Sequence, residues 1–269
     1  MKRLTFLTCH HKAPLVEAAL AESGFSVETL DSLNTDRFGT FSREFERRGS
    51  AHETALAKAR LAADHAGTRY GLGSEGSFGR DPYLGMLAWN TELLCWWDHE
   101  RGYAVYASQG SSDTNYAHRE VRSLEEGQAF ARAAGFPEHG LILGRPGEPW
   151  FRKGLQHAET FEGLLREVLA TQPGVWIETD MRAHLNPRRQ AVIRRAAQRL
   201  ADRLSQHCPA CRAPGYGIDH LEHGLHCQAC TTPTGQAARE HWLCPACGHC
   251  ETRQRPERAD PAHCPSCNP

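Results

Sequence analysis

Eight cysteines near the C-terminal end of this 269-residue sequence have the types and spacing of zinc ligands. They form four CxxC pairs: Cys208 and Cys211, Cys227 and Cys230, Cys244 and Cys247, and Cys264 and Cys267. A CxxC pair presents two sulfurs on one side of a tight turn, and two pairs complete a tetrahedral four-thiolate zinc site. The first two pairs are separated by 15 residues and the last two by 16. This spacing predicts one structural zinc ion for each consecutive set of four cysteines.

This cysteine-rich region is expected to be a small domain of its own. Nine of the 11 cysteines lie between Cys208 and Cys267, which predicts a domain over 1–205 and tandem zinc ribbons over 206–232 and 242–269. Metal binding should supply much of the folding energy of so short and polar a segment. Disulfides are the alternative, but they need an oxidising compartment. Cys250 is left over, as a surface thiol or a reserve ligand.

The charge of the cysteine-rich region bears on its partner. From Cys208 onward the sequence has five arginines against six acidic residues, whereas a nucleic-acid footprint is basic. Protein contact or packing within the chain is therefore favoured over an RNA partner.

A second group of residues, in the N-terminal half, has the types found at phosphate and metal sites. It comprises the turn TCHHK, the helix start ETALAK and the glycine stretch GLGSEGSFG, which contribute Thr8, Lys12, Glu53, Lys58, Gly73, Ser74, Glu75 and Gly76. Cations and backbone N–H groups can hold phosphates, while carboxylates bind Mg²⁺ and orient water. Glu75 and Glu53 are the candidate catalytic residues and magnesium ligands, with Asp36 as a third candidate ligand.

Each of these residues also has a purely structural interpretation. Glu53 stands three residues after Ser50, in the pattern of a helix capping box. Lys58 fits a solvated helix face. Glu75 is interpreted as a loop residue without a capping role, which favours function. Arg189, on the apolar side at the start of a helix, is a candidate phosphate clamp or the ion-pair partner of a carboxylate such as Asp180.

The elements that position these residues alternate between strands and helices. We expect strands at 3–9 and 25–30, helices from Pro14 and Ser50, a strand that begins at Arg69 and dissolves into the glycine stretch, and a hairpin over 91–108. A further helix is expected to begin after Ser123. GLILG and VWIET are expected strands before and after a helix over 158–170, and Asn186 is expected to cap a last helix. The pattern predicts an α/β fold with a mixed central sheet flanked by helices.

The order of these motifs resembles the inosine/xanthosine triphosphate pyrophosphatase superfamily, and most closely its branch of noncanonical purine nucleoside triphosphate phosphatases. Glu53-Thr54-Ala55 with Lys58-Ala59 matches that branch's helix motif, and Gly73-Ser74-Glu75-Gly76 matches its acidic turn. The resemblance covers residues 3 to about 108 well and 175–204 weakly. The sequence departs from the family in the turn Thr8–Lys12, which has histidine instead of asparagine, and in its zinc tail. It looks like a member of an uncharacterised bacterial group that shares this fusion.

The resemblance implies the inosine triphosphatase fold and a Mg²⁺-dependent hydrolase that releases pyrophosphate from a nucleotide-like compound. Lys12, Lys58 and Arg189 would hold phosphates, and Thr8 and the Gly73–Gly76 backbone would line the pocket. The alternative is a non-catalytic protein on the same scaffold that binds a nucleotide or an RNA end.

Composition gives no reason to expect a membrane or nucleic-acid surface as the main partner. The net charge is −1, and apolar runs are far below the roughly 18 residues that span a bilayer. A cytoplasmic protein is the default expectation, and the oligomeric state is open.

Overall fold

The computed structural model describes residues 1–9, 11–32, 49–255 and 257–269. His10 and the candidate ligand Asp36 lie outside these residues. The chain divides into two compact units: residues 1–100 with 106–201, and residues 101–105 with 202–269. None of the described helices is long and apolar enough to cross a membrane.

The first unit contains a mixed five-stranded sheet. Its elements are β1 (Lys2–Leu7), α1 (Ala13–Glu22), β2 (Phe25–Leu30), α2 (Ala51–Ala66), β3 (Tyr70–Arg80), β4 (Ala88–Asp98) and β5 (Tyr103–Ser111). The strand order is β2-β1-β3-β4-β5. Strand β1 is parallel to both β2 and β3, whereas β3 and β4 are antiparallel. The predicted mixed α/β class and the mixed central sheet are confirmed.

A second, antiparallel sheet follows in the same unit, and the sequence did not predict it. Its elements are β6 (His118–Val121), α3 (Leu124–Ala134), β7 (Leu141–Leu143), β8 (Arg152–Leu155), α4 (Ala158–Thr171) and β9 (Val175–Thr179), in the order β6-β9-β7-β8. Buried side chains such as Phe130, Phe161 and Ile177 form a separate core with helices α3 and α4. Helix α5 (Pro187–Ser205) comes next in the chain.

The glycine stretch is not a loop, which corrects the expectation from sequence. Strand β3 runs unbroken through it, and all eleven residues pair with β4, from Tyr70 opposite Asp98 to Arg80 opposite Ala88. Glycine is a poor strand former in isolation, but pairing with β4 along the whole stretch, and with β1 at Tyr70–Leu72, holds it in a strand. The close approach of α2 explains two of the glycines: a Cβ at Gly71 would lie 1.9 Å from the Ala59 carbonyl oxygen, and one at Gly73 2.0 Å from that of Ala55.

The second unit contains a three-stranded antiparallel meander. Its strands are β10 (Gly217–His223), β11 (Ala237–Leu243) and β12 (Cys250–Gln254), in the order β10-β11-β12. The four CxxC pairs lie before β10, between β10 and β11, between β11 and β12, and after β12. Because each strand reverses direction, the first and third pairs meet at one end of the sheet, and the second and fourth at the other.

The contact between α2 and β3 can be tested with alanine. We expect Gly73→Ala to lower the free energy of unfolding by about 1–3 kcal/mol or more, because the added methyl group meets backbone that cannot move aside. Gly79→Ala in the same strand is the matched control, since a Cβ there has no atom within 4 Å. It should be neutral or stabilising by up to about 1 kcal/mol. Equal effects of the two substitutions in urea unfolding would contradict the close approach.

Candidate phosphate site and zinc centres

Two parallel crossovers create a topological switch point between β1 and β3. The chain leaves β1 through α1 to reach β2 on one side, and then returns through α2 to β3 on the other side of β1. In open α/β sheets, ligands bind beyond the carboxyl ends of the strands at such a point. Strand β1 ends at Leu7, whereas β3 continues to Arg80, so Lys12, which follows β1, lies alongside the middle of β3.

Six buried polar residues converge at this switch point, and we call them the ionic cluster. They are Lys12, Lys58, Ser74, Glu75, Glu92 and Arg189. Lys12 precedes α1 and donates from Nζ to Ser74 Oγ at 3.1 Å. Lys58, in the second turn of α2, donates from Nζ to Glu75 Oε1 in a buried ion pair. Of the six residues in the ionic cluster, five were predicted from the sequence, and only Glu92 was not.

Arg189 forms the second ion pair of the cluster. Its Nε and Nη2 donate to the two carboxylate oxygens of Glu92 at 2.7 and 3.3 Å, and Nη1 donates to the Met181 carbonyl. Its guanidinium carbon lies 5.2 Å from the centre of the Phe78 ring. Both charged groups are almost fully buried. The ion-pair interpretation of Arg189 is thus confirmed, but with Glu92 as the partner, because Asp180 instead pairs with Arg182 at 2.6 Å.

Local structure fixes where Arg189 points. Asn186 Oδ1 accepts a hydrogen bond from the Arg189 backbone N–H at 3.0 Å, which confirms Asn186 as the cap of helix α5. Gly76 leaves the space that the ion pair occupies, since a Cβ there would lie 2.5 Å from Arg189 Nη2 and 2.7 Å from Glu92 Oε1. Glu92 was missed by the sequence analysis. Its signal is a carboxylate next to the apolar run LLCWW of strand β4.

The electrostatics of the ionic cluster centre on Lys12. Burial lowers the pKa of Lys12 to about 7, and the nearby charges of Arg189 and Lys58 act in the same direction. Glu92 and Glu75 raise the pKa of Lys12 but do not compensate. With every group ionised, the cluster holds three cations and two carboxylates, so it carries an excess positive charge.

The other residues predicted for this site, Glu53, Thr8 and Gly73, make contacts that belong to the fold itself. Glu53 is exposed and accepts hydrogen bonds from the backbone N–H and the hydroxyl of Ser50, both at 2.8 Å, so it completes the capping box and lies outside the buried cluster. Thr8 is buried, and its backbone N–H donates to the Leu30 carbonyl at 3.1 Å. Gly73 lies against α2, as described above.

The eight cysteines form two groups that fit zinc, but they are grouped differently from the prediction. One group is Cys208, Cys211, Cys244 and Cys247, and the other is Cys227, Cys230, Cys264 and Cys267. The expected pairing of consecutive CxxC pairs is therefore wrong. In the meander β10-β11-β12, successive CxxC pairs lie at alternate ends of the sheet, and this arrangement imposes the interleaved pairing. The three short segments between the four CxxC pairs are the feature of the sequence that could have indicated such a meander.

Sulfur spacings within both groups match tetrahedral zinc. Two contacts in the first group measure 3.8 and 3.7 Å, and two in the second measure 3.9 and 3.5 Å. Zinc–sulfur bonds of about 2.3 Å in a tetrahedron place the sulfurs about 3.8 Å apart. All the cysteines are free thiols, so disulfides do not hold this unit together. Cys250 is exposed and belongs to neither group.

The four CxxC turns share one backbone geometry. In each, the residue after the second cysteine donates its N–H to the carbonyl of the first cysteine, at 2.9–3.0 Å: these donors are Arg212, Thr231, Gly248 and Asn268. The first three have positive φ values of 61, 57 and 74°. This repeated turn is what directs both sulfurs of a pair to the same side.

The fold and the cysteine groups define a mixed α/β protein with a C-terminal unit built for two structural zinc ions. A family model described as a domain of unknown function, DUF6671, matches residues 58–269, and the chain belongs to that family. The match begins at Lys58 and includes most of the ionic cluster and all eight zinc-type cysteines. No curated protein and no solved structure matches the chain.

The interleaved pairing can be tested with double substitutions. Cys211→Ser with Cys247→Ser alters one group only, so the protein should retain one zinc ion per chain. Cys211→Ser with Cys230→Ser alters both groups and should deplete both sites. Consecutive pairing predicts the reverse for the two variants, so elemental analysis of the purified proteins decides between them.

The lowered pKa of Lys12 predicts a pH dependence of stability. Below pH 7 Lys12 is charged in the folded and unfolded chain, so the cost of burying the charge is fully present. Between about 7 and 10.5 the unfolded chain binds more protons, so stability from this residue should rise with pH, by at most about 1.4 kcal/mol per pH unit. Lys12→Met removes this dependence. Urea unfolding curves at several pH values, compared between wild type and Lys12→Met, measure it, and parallel curves would contradict a lowered pKa.

Proposed function

We propose that the protein binds a nucleotide-like compound by its phosphate groups at the ionic cluster. The observation that carries the proposal is the convergence of Lys12, Lys58 and Arg189 at the switch point, where they outnumber Glu75 and Glu92. Charging Lys12 in this buried place is costly, and a phosphate group would stabilise its charged form. The resemblance to nucleoside triphosphate pyrophosphatases favours the same class of ligand.

The three cations would have different roles toward such a ligand. Lys12 contacts a hydroxyl, Ser74, rather than a carboxylate, so it can turn to a phosphate without breaking an ion pair. When the ligand binds, the amino group of Lys58 would leave the carboxylate of Glu75 and donate to a phosphate oxygen instead. Arg189 is nine-tenths or more buried and holds Glu92 with two hydrogen bonds, so we assign it a positioning role and a contribution to the local positive field, in place of the expected clamp.

The described residues do not fit a preformed magnesium site. Mg²⁺ requires several oxygen ligands in octahedral geometry, but Glu75 is paired with Lys58, Glu92 with Arg189, and Glu53 with Ser50. The three cations of the cluster would repel a further cation more than its two carboxylates attract one. Magnesium bound to these residues alone therefore has no part in the proposed function.

Hydrolysis of the bound phosphate chain is the reaction we propose for this site. If Lys58 moves to a phosphate, the carboxylate of Glu75 is released beside the ligand and can accept a proton from water. Non-catalytic binding is the second candidate function, and a specific observation favours it. Glu53, the other expected catalytic carboxylate, faces solvent as a helix cap.

Proton uptake on binding is the expected signature of the site. An anion beside Lys12 raises the pKa of this lysine, so binding near pH 8 should take up close to one proton. Titration calorimetry of pyrophosphate and of inosine and xanthosine triphosphates, in buffers of different ionisation enthalpy, measures this uptake. Lys12→Met should abolish the uptake and weaken binding by roughly tenfold or more.

The control is Lys153→Met, which replaces an exposed lysine of β8 and should change neither quantity. Binding without proton uptake, or equal binding by Lys12→Met, would contradict the assignment of the phosphate site. Turnover of the same compounds, with and without added Mg²⁺, separates the two candidate functions. Glu75→Gln should reduce turnover by about 10²-fold or more while binding persists, whereas product-free binding by wild type would establish the non-catalytic candidate.

For the zinc unit we propose a role in contact with a protein partner or in packing, with RNA as the weaker alternative. Its sheet carries both acidic and basic side chains, including the ion pairs of Glu222 in β10 with Arg239 in β11 and of Glu251 with Arg253 in β12. Such mixed charge does not provide the basic stripe on which phosphate-backbone recognition depends.

A further inference from the structure

The turn between β3 and β4 exposes an unusual concentration of large apolar side chains. Tyr83, Leu84, Met86 and Leu87 are 80, 77, 74 and 58% exposed. Only five large apolar residues of the described chain are more than half exposed, and four of them fall within these five consecutive positions. We call these four residues the apolar tip. Single exposed apolar residues are ordinary, but a contiguous patch marks a binding surface.

The apolar tip is held rigid by one buried carboxylate. Asp81 Oδ1 accepts from the backbone N–H groups of Tyr83 and Leu84 at 3.1 and 2.7 Å. Asp81 Oδ2 accepts from those of Met86 and Leu87, both at 2.7 Å. Because the polar backbone turns inward onto Asp81, the four side chains project outward. A partner would therefore bind a preorganised loop, with little loss of conformational entropy.

The charge of this turn selects the kind of partner. Arg80 and Asp81 are its charged residues, and both are engaged inside it, since Arg80 Nη1 donates to the Gly85 carbonyl at 3.2 Å. A lipid surface or a nucleic acid would call for several flanking basic residues, whereas this turn has Arg80 alone, with the acidic Asp81 beside it. An uncharged apolar surface is, by contrast, complementary to itself, as a two-fold symmetric contact requires.

The size of the apolar tip agrees with this kind of contact. An aromatic side chain buries roughly 150–250 Å² and an aliphatic one about 60–120 Å², so the four mostly exposed side chains offer on the order of 400 Å². A standard interface buries about 800 Å² on each partner. Two tips packed together would therefore supply about half of a stable interface, and the adjoining strand ends could supply the rest.

We propose that the apolar tip is the contact surface of a homodimer, in which the tips of two copies pack against each other about a two-fold axis. Such a dimer fixes the hairpin β3–β4, which carries Ser74, Glu75 and Glu92. The proposal is independent of what the ionic cluster binds.

Sedimentation velocity of the zinc-loaded full chain at micromolar concentrations tests the proposal. Wild type should sediment as a dimer, and Leu84→Glu with Met86→Glu should raise the dissociation constant at least tenfold and give monomer. Both positions are solvent-exposed, so the fold should survive, which circular dichroism and zinc content verify. The matched control is Ile218→Glu with Leu221→Glu, which charges two exposed apolar residues of β10 and should remain a dimer.

A wild-type monomer at every concentration would overturn the proposal, as would a dimer that the tip substitutions leave unchanged. A lipid surface is the alternative partner of the apolar tip, and flotation with phosphatidylcholine and phosphatidylserine vesicles tests for it. Vesicle binding by a monomeric wild type, lost in Leu84→Glu with Met86→Glu, would overturn the dimer in favour of a lipid surface.

Discussion

The close approach of helix α2 to strand β3 is the contact on which the candidate site depends. Glycines at 71 and 73 allow the helix backbone to lie directly on the strand, where a methyl group would meet carbonyl oxygens at 1.9 and 2.0 Å. This short separation lets Lys58 reach Glu75 within the sheet interior. A bulkier strand would hold the helix further away and leave Glu75 as a buried, unpaired carboxylate, which is far more costly than a paired one. The two glycines therefore make the buried ion pair of Lys58 with Glu75 possible.

Two buried ion pairs and one buried lysine then share a small volume. Each pair offsets the desolvation of its own charges, Lys58 with Glu75 and Arg189 with Glu92. The hydrogen bond of Lys12 goes to Ser74 rather than to a carboxylate of the cluster, and burial lowers its pKa to about 7. The phosphate-bearing ligand that we propose would therefore bind with the uptake of a proton.

The C-terminal unit depends on a different source of order. Its strands β10 and β12 are almost entirely exposed, so it has little apolar core, and zinc binding must supply much of its folding energy. Interleaving changes how that energy is distributed. Each four-cysteine group joins a CxxC pair from the first half of the unit to one from the second half. Each zinc ion would therefore link the first half of the unit to the second, so the unit is not two consecutive ribbons.

The sequence by itself determined the local features of this protein, because they depend on neighbouring residues. The cap at Ser50, the start of α5 at Asn186, the alternation of strands and helices, and the identity of the eight cysteines all follow from spacing over a few positions. Tertiary structure decided which distant groups meet. It made the glycine stretch a strand by pairing it with β4, gave Arg189 to Glu92 rather than Asp180, left Glu53 in solvent, and joined alternate CxxC pairs. Each of these outcomes depends on strand register or strand direction, which set contacts between residues far apart in the chain and leave no periodic trace within any one segment.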